Sequence, residues 1–544
     1  MPERSVQPRV AIVGGGIAGL AAAFFLRDAG LAVTVLEGSP RLGGKLAVSE
    51  VAGVAVDAGA EALLARRPEG TDLVGAVGLA GQLVRPGTTT AAMWTRGRLR
   101  PLPQRQLMGV PADLDALASS GILSASGLAS ARADAELPAT ARAGDVSVAS
   151  FVGARFGPEL VDRLVDPLLG GVYAGRSEQL SFEATLPALA AASRLHASLA
   201  AAARSVLDGT GSESAAVRRS GEPGRAGPDG TGSESAAVRR SGEPGPVFAT
   251  LAGGLATLVP AVAAASGAAV RTSATVRALA RTPGGWRLTV GSAHVPEQLE
   301  ADAVVLALPP APASRLLAGV PGAAAAAAGL GEIATASMAI VTLAYPDDAF
   351  PAPPQGSGYL VPAVDGHAVK AVTFSTVKWP HLRAHGQPVQ IVRCSVGRLG
   401  EEALLQRDDG ELAALAAADL AAATGVRGAP ADTRVSRWGG GLPQYTVGHV
   451  ARVARIRAAV AAQLGLAVCG ASYDGIGIPA CIASARAAAD QVVAGLTARG
   501  LTGHGGTGDG GTGRGGTGRS GTGDGGTSRS GISRGATVPG AGGQ

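Results

Sequence analysis

The stretch "RVAIVGGGIAGLAAAFFLRDAGLAVTVLE", residues 9–37, decides the fold. Val10 to Val13 form a predicted buried strand, three glycines turn the chain into an apolar helix, and "LAVTVLE" predicts a second strand that ends at an acid. Glycines at such a turn let backbone N–H groups approach a pyrophosphate, and the acid can accept ribose hydroxyls. Strand, helix, strand and acid together predict a dinucleotide-binding unit rather than a merely packed one. The predicted cofactor contacts are Gly14, Gly15, Gly16, Ile17, Ala18, Gly19 and Glu37.

Two further glycine turns follow and indicate which dinucleotide is bound. "LEGSPRLGGKL" (36–46) places a second glycine pair and two cations shortly after the acid. This arrangement suits a long, extended FAD better than NAD, whose domain would continue into another helix. "VDAGAEALLARRP" (56–68) is a third turn, which we place beside the flavin ring, although a simple hairpin is the alternative. The contacts predicted here are Arg41, Gly43, Gly44, Lys45, Gly59, Ala60, Glu61 and Ala62.

Composition excludes several classes of protein. The chain has 544 residues, of which 46% are hydrophobic and 16% charged, enough for a large core in more than one domain. The net charge is +5 without a Lys/Arg block, which argues against nucleic-acid binding. Cys394, Cys469 and Cys481 have no metal spacing and indicate a reduced compartment. The apolar run 10–26 is too short and glycine-rich for a membrane span, so we expect a cytoplasmic protein without a metal site.

The pattern along the chain predicts an α/β fold: a Rossmann-like FAD-binding domain with an inserted α+β substrate domain and a helical subdomain. The chain leaves and re-enters the first domain. "DGTGSESAAVRRSGEPG" at 208–224 recurs unchanged at 229–245, which indicates a recent duplication in a flexible loop. The predicted boundaries are 7–88, 247–308 and 434–498 for the FAD-binding domain, 89–106 and 309–433 for the substrate domain, 107–205 for the helical subdomain, 206–246 for the duplicated loop and 499–544 for a disordered Gly/Thr-rich tail.

Longer motifs carry a family resemblance. Besides the glycine turns, the chain contains "GRLRPLP", "VDPLLGGVYAG", "FATLAGGL", "VKWPHL", "RWGGGLPQYTVGH" and "GASYDGIGIPACIASAR". With these motifs the chain resembles the bacterial coproporphyrinogen III and protoporphyrinogen oxidases of haem biosynthesis, a family within the flavin amine oxidase superfamily. The resemblance spans about residues 10–490 and leaves out the duplicated loop and the tail. "DPLLGGVYAG" and "LPQYTVGH" are far more specific than a dinucleotide fingerprint.

The resemblance implies further site residues. The last strand-to-helix turn, Ile476, Gly477 and Ile478, would pack against the flavin's pyrimidine edge, where the helix dipole favours an anionic reduced flavin. Trp438 would line the flavin pocket, and the backbone of Val276 would contact adenine. One non-covalent FAD per chain would carry the chemistry, with no catalytic side chain. His449 is expected to be structural rather than a base.

The substrate remains open between two porphyrinogens. Propionates need cations, and the candidates are Arg66, Arg67 and Lys378. Eukaryotic protoporphyrinogen-specific members carry an arginine where Thr90 stands, and this departure favours coproporphyrinogen III, which dioxygen would oxidise in three steps with release of three hydrogen peroxide molecules. Peripheral membrane contact and partnership with other haem-pathway enzymes stay open. The alternatives are a carotenoid desaturase or amine oxidase of the same superfamily, and a flavin-free binding protein like a guanine-nucleotide dissociation inhibitor.

Overall fold

The first strand, helix and second strand form as the sequence predicts. A computed structural model describes residues 7–139, 144–209, 247–385 and 388–501; most of the duplicated segment and nearly all of the tail lie outside them. The strands run over Arg9–Val13 and Ala32–Leu36, and the helix between them over Ile17–Leu26. Eight of the ten helix residues are buried, because alanine and phenylalanine cover its whole surface.

These strands belong to a five-stranded sheet in which every pairing is parallel, here called the parallel sheet. Its strands in spatial order are Ala269–Arg271, Ala32–Leu36, Arg9–Val13, Ala303–Leu306 and Leu466–Val468. The helices Ile17–Leu26, Leu258–Ser266 and Ile478–Ala498 share one hydrophobic cluster with one face. Three distant parts of the chain therefore build one nucleotide-binding type of sheet, and the predicted α/β class is confirmed.

The other face of the parallel sheet packs against an antiparallel sheet and two helices. The sheet consists of Val276–Thr282, Gly285–Gly291 and Pro296–Ala301, and the helices span Pro310–Ala318 and Ala324–Gly331. Trp286 is fully buried between them and donates from Nε1 to the carbonyl of Leu464 at 3.2 Å. This layer, together with Val453 and Ile456 of the helix His449–Ala461, covers the second face of the parallel sheet.

A second large sheet, here called the mixed sheet, has seven strands. In spatial order they are Asp432–Pro443, Thr335–Pro346, Val389–Val396, Val369–Phe374, Gly358–Leu360, Ala92–Thr95 and Arg98–Pro101. Leu412 and Leu420 of the helix Asp409–Thr424 pack on one face, and because side chains alternate along a strand, residues such as Met338 and Arg393 lie on the other. The first strand runs to Pro443, whereas the predicted boundary of the substrate domain stands at 433.

Between the sheets lies a helical region. Its helices are Leu114–Ser120, Ala125–Arg132, Val148–Phe156, Pro158–Leu160, Asp166–Tyr173, Phe182–Thr185, Pro187–Ala192 and Leu199–Leu207. Phe156, Leu164 and Phe182 are fully buried in its core. Arg155 donates to Asp134 at 2.6 Å, and both side chains are almost completely buried.

Shorter elements complete the described part of the chain. The remaining strands are Val48–Val51, Val54–Asp57, Leu63–Leu64, Leu83–Val84, Gln106–Leu107, Val110–Pro111 and Phe248–Leu251. The remaining helices are Pro68–Ala76, Ser375–Lys378 and His449–Ala461, besides the π-helix Val161–Val165 and short 3-10 turns. Among the helices that the structure describes, none is both long and apolar enough to cross a bilayer.

Candidate functional site

In the first glycine turn, the fold requires glycine at some positions but not at Gly16. A Cβ on Gly19 would stand 1.9 Å from the carbonyl oxygen of Gly14, and one on Gly14 would stand 2.4 Å from that of Ala307. A Cβ on Gly16 would meet no protein atom within 4 Å. Gly16 is also the N-cap of the helix and offers its first amides no side-chain acceptor. The turn therefore leaves an open cradle beside free N–H groups, which fits a bound phosphate group.

Glu37 lies at the edge of the same turn. Its carboxylate accepts from the backbone N–H of Gly15 at 2.7 Å and from that of Ser39 at 2.8 Å. Two further backbone bonds, Glu37 N to Arg271 O and Ala274 N to Glu37 O, tie it to the chain that leads into the strand starting at Val276. The structure thus brings the predicted ribose acceptor and the predicted adenine contact to the same end of the parallel sheet.

The second glycine turn packs directly on the first. Gly43 and Gly44 have positive φ values of 101° and 56°, and Gly43 N donates to the carbonyl of Gly15 at 2.8 Å. The Arg41 guanidinium donates to the carbonyl of Gly44 at 2.8 Å. Arg41 therefore braces the turn itself, a role that the sequence pattern does not distinguish from direct contact with a cofactor.

Lys45 is a cation without a hydrogen bond or ion pair among the residues that the structure describes. Its side chain is exposed to solvent, yet surrounding protein desolvates the ammonium and lowers its pKa. Both properties fit a group that lines an internal cleft. Its carbonyl accepts from Ala60 N at 3.1 Å and would lie 2.1 Å from a Cβ on Gly59, so the second and third turns touch.

Trp438 joins the third turn to the mixed sheet. Its Nε1 donates to the carbonyl of Ala58 at 3.0 Å, and its ring edge would stand 3.0 Å from a Cβ on Gly59. Trp438 therefore packs against the turn that we assign to the flavin ring, and its place in a flavin pocket stays a prediction.

Glu61 sits in a cluster of charges that the sequence did not predict. It contacts the Lys378 ammonium at 3.1 Å and accepts from the guanidinium of Arg393 and from Trp379 Nε1. Burial alone would raise the pKa of Glu61, but Lys378 and Arg393 outweigh burial and lower it to about 2. An arginine inside the apolar run "VQIVRCSVG" was the available signal for Arg393.

The two other predicted substrate cations lie near this cluster, at the protein surface. Arg67 pairs with Glu69 at 2.5 Å, whereas Arg66 is exposed and has no ion pair with a described residue. Leu64, two positions before Arg66, pairs with Phe248, whose ring centroid is 5.7 Å from the Lys378 ammonium. The structure brings these cations to one side of the third turn, but Lys378 is already engaged with Glu61.

The last turn has the open glycine geometry that the sequence predicts. Gly470 and Gly475 have φ values of 121° and 151°, and Gly477 caps the helix that starts at Ile478. A Cβ on Gly477 would meet only the proline ring that follows, at 3.9 Å. Free space at this N-terminus, like that at Gly16, fits a second contact with a cofactor.

Two stacked aromatic side chains contact the backbone of this turn. Tyr445 donates its hydroxyl to the carbonyl of Ala471 at 2.7 Å, and His449 Nε2 lies 3.1 Å from that of Tyr473. The two rings stack with centroids 3.8 Å apart. Burial lowers the pKa of His449 to about 4, so the imidazole is neutral at pH 7, as expected of a structural histidine rather than a base.

The two most specific sequence motifs are in contact. Gln444 donates from Nε2 to the carbonyl of Tyr173 at 2.8 Å, and the rings of Tyr173 and Tyr445 are 5.6 Å apart. Ser181 N donates to the carbonyl of Tyr445 at 2.7 Å. "DPLLGGVYAG" and "LPQYTVGH" therefore form one seam between the helical region and the last turn.

Known proteins share both the sequence and the fold. The family described as flavin containing amine oxidoreductase matches residues 17–493. Coproporphyrinogen III oxidase of Mycobacterium tuberculosis is 36% identical over 496 residues, which cover 90% of this chain and 98% of that protein. The protein of that name from Bacillus subtilis is 30% identical over 88% of this chain and 96% of its own length. Protoporphyrinogen oxidase of Bos taurus is 29% identical over 89% of this chain and 98% of its own length.

Solved structures agree with the sequence comparison. A protein from Exiguobacterium sp. 255-15, provisionally named protoporphyrinogen oxidase, has a TM-score of 0.75 and 30% identity over 90% of this chain and 99% of its own. Cyclohexylamine oxidase of Brevibacterium oxydans, at 17% identity and a TM-score of 0.60 over 90% of this chain and all of its own, shares the fold. The family match and these relatives together show that this chain belongs to the flavin containing amine oxidoreductase family and is a flavin-dependent oxidoreductase.

Proposed function

We propose that the protein oxidises coproporphyrinogen III to coproporphyrin III with dioxygen in haem biosynthesis, using one non-covalently bound FAD per chain. The observation that carries this proposal is the 36% identity to the M. tuberculosis coproporphyrinogen III oxidase over 98% of that protein's length. The reaction removes six electrons and six hydrogens from the macrocycle, and three dioxygen molecules become three hydrogen peroxide molecules. FAD supplies two-electron oxidation of the substrate and reoxidation by dioxygen.

The chain's own residues bind and orient these groups. The N–H groups of Gly14 and Gly15 bond within the protein, so the amides from Gly16 to Gly19 would hold the pyrophosphate. Glu37 would accept ribose hydroxyls, and Val276 would meet the adenine through its backbone. The turn Gly59–Ala62, Trp438 and the turn Ile476–Ile478 enclose the flavin ring. The open Cβ positions at Gly16 and Gly477 support this arrangement, since side chains there would occupy the cofactor's space. The Lys45 ammonium, which has no hydrogen bond or ion pair among the described residues, is a candidate partner for an anionic group in the same cleft.

Cations beside the third turn hold the substrate's carboxylates. Arg66 is the first candidate because it has no ion pair with a residue that the structure describes, whereas Arg67 pairs with Glu69 and Lys378 with Glu61. Thr90 stands where the eukaryotic protoporphyrinogen-specific members have an arginine, which supports a substrate other than the dicarboxylate. We place the enzyme in the cytoplasm, with no nucleic acid among its partners.

Protoporphyrinogen IX is the second candidate substrate, because the bovine relative of that activity is 29% identical over nearly its whole length. One experiment separates the candidates. Each porphyrinogen is prepared without oxygen and mixed with the purified protein. Air is then admitted, and porphyrin fluorescence and the concentration of hydrogen peroxide are followed over time. We expect faster turnover of coproporphyrinogen III and three peroxides per porphyrin. A preference for protoporphyrinogen IX, or peroxide only with amines, would contradict the proposal.

A further inference from the structure

A buried ion cluster connects the turn Gly59–Ala62 to the mixed sheet. Its centre is Arg393, which lies in the strand Val389–Val396 and is 7% exposed. Nη2 of Arg393 donates to the carbonyl of Gly59 at 2.7 Å, while Nη1 pairs with the carboxylate of Glu61. One planar guanidinium therefore holds both the backbone and a side chain of this turn, which a lysine ammonium cannot reproduce.

Two neighbouring side chains also bind the carboxylate of Glu61. Lys378 contacts one carboxylate oxygen at 3.1 Å, and Trp379 Nε1 donates to the same oxygen. Although burial opposes ionisation, the two cations lower the pKa of Glu61 to about 2. The carboxylate is therefore charged throughout the neutral range and lies between two cations. Burial raises the pKa of the nearby Asp57 to about 6, so Asp57 adds a second negative charge at pH 7.

The same sheet touches the residue before the turn as well. Trp438, on the strand Asp432–Pro443, donates to the carbonyl of Ala58 at 3.0 Å. Residues 58, 59 and 61 thus each accept a hydrogen bond from the mixed sheet or from the segment 378–379 beside it. The Nε of Arg393 is buried with no hydrogen-bond partner among the described residues, so the guanidinium is held by its two terminal nitrogens alone.

We propose that Arg393 is a positioning residue for the flavin: it fixes the turn Gly59–Ala62 to the mixed sheet and so sets where the flavin ring lies. This inference rests on the flavin site of the proposed function but not on the identity of the substrate. A nearby positive charge also favours the anionic reduced flavin over the neutral oxidised one. Arg393 thus acts on the flavin through both geometry and charge.

Three variants of the full chain separate these effects: Arg393→Met, Arg393→Lys and Glu61→Gln. The dissociation constant of FAD is measured by fluorescence, and the flavin midpoint potential by redox titration. We expect each variant to weaken FAD binding by about tenfold or more, because a charge-assisted bond to the turn is lost. The midpoint potential should become more negative in Arg393→Met, less so in Arg393→Lys, and more positive in Glu61→Gln.

The matched control is Arg155→Met, which breaks the equally buried pair with Asp134 inside the helical region. It should lower stability without changing FAD affinity or potential. Parent-like FAD affinity and potential in folded Arg393→Met, or an equal change in Arg155→Met, would overturn the inference. If Arg393→Met does not fold, parent-like values in both Arg393→Lys and Glu61→Gln overturn it equally. If the parent oxidises neither porphyrinogen while these values move as expected, the proposed function fails and the inference stands.

Discussion

The glycines of the first turn differ in the reason why each position must be glycine. Gly14 and Gly19 are required by the protein itself, since a Cβ on either would overlap a carbonyl oxygen. Gly16 has an extended φ of −73°, which any residue can adopt, and open space around its Cβ position. The fold therefore does not require glycine at this position, whereas a dinucleotide bound as we propose would require it.

Gly16→Val should accordingly abolish the yellow colour without unfolding the protein. Forcing a side chain into occupied space costs about 1–3 kcal/mol, which is roughly a 10- to 100-fold loss of FAD affinity. Flavin content by absorbance and apoprotein unfolding by urea are the two measurements. Gly19→Ala is the matched control, and it should lower the free energy of unfolding of the apoprotein itself. Normal flavin content in folded Gly16→Val would show that the turn is not the pyrophosphate site.

The sequence predicted this turn well and the ion cluster not at all. Gly15 and Glu37 belong to one local pattern, so their contact follows from strand, turn and strand in order. Arg393 meets Gly59 across more than three hundred residues of chain, and only the pairing of strands in the mixed sheet brings them together. The sequence also predicted Lys378 as a substrate ligand. Its ion pair with Glu61 could not be predicted, because only the fold brings the two residues together.

Secondary-structure elements also divide into those that follow from local sequence and those that depend on the rest of the fold. The strands Thr335–Pro346, Val369–Phe374 and Val389–Val396 form in the mixed sheet, because their β-branched residues suit a buried pleated surface. The glycine-rich run at 439–441 resembled part of the nucleotide domain, yet it lies in an edge strand of the mixed sheet. Gly440 has a positive φ of 57°, and the pairing of this strand with Thr335–Pro346 shifts register between Trp438 and Leu442.

The last turn is held by His449, and this contact gives a prediction about how the free energy of unfolding depends on pH. The unfolded chain protonates His449 near pH 6.5, whereas burial lowers its pKa in the folded protein to about 4. The free energy of unfolding therefore falls as the pH falls through this window, by up to about 3 kcal/mol from this group.

His449→Phe keeps the ring stacked on Tyr445 and removes the titrating group. The difference in unfolding free energy between parent and variant, measured in denaturant, should shift in favour of the variant between pH 7 and pH 4. His294→Phe, at an exposed position, controls for the loss of an imidazole. A pH-independent difference at His449 would mean that the imidazole is not held neutral.

At the scale of the whole molecule, the candidate site is assembled from segments that the chain visits at distant points. The turns at 14–19, 43–45 and 59–62 come from its beginning, Arg393 and Trp438 from the mixed sheet, and the last turn from its end. Each segment carried a local signal, but their mutual placement depends on long-range pairings that no local pattern encodes. The predicted domain boundaries remain a prediction for the same reason.

Net charge supplies the last prediction. The chain carries a formal charge of +5, and coproporphyrinogen III carries four carboxylates against two in protoporphyrinogen IX. Because mobile ions screen attraction between exposed charges, raising the salt concentration should lower kcat/KM, on the order of several-fold, for the tetracarboxylate. The decline should be shallower for the dicarboxylate, and Arg66→Ala should flatten it for the tetracarboxylate more than Arg67→Ala, whose charge is already paired. Steady-state kinetics at a series of salt concentrations test this directly. Equal slopes for both substrates would mean that carboxylate number does not govern recognition, and an unchanged slope in Arg66→Ala would assign recognition to another cation.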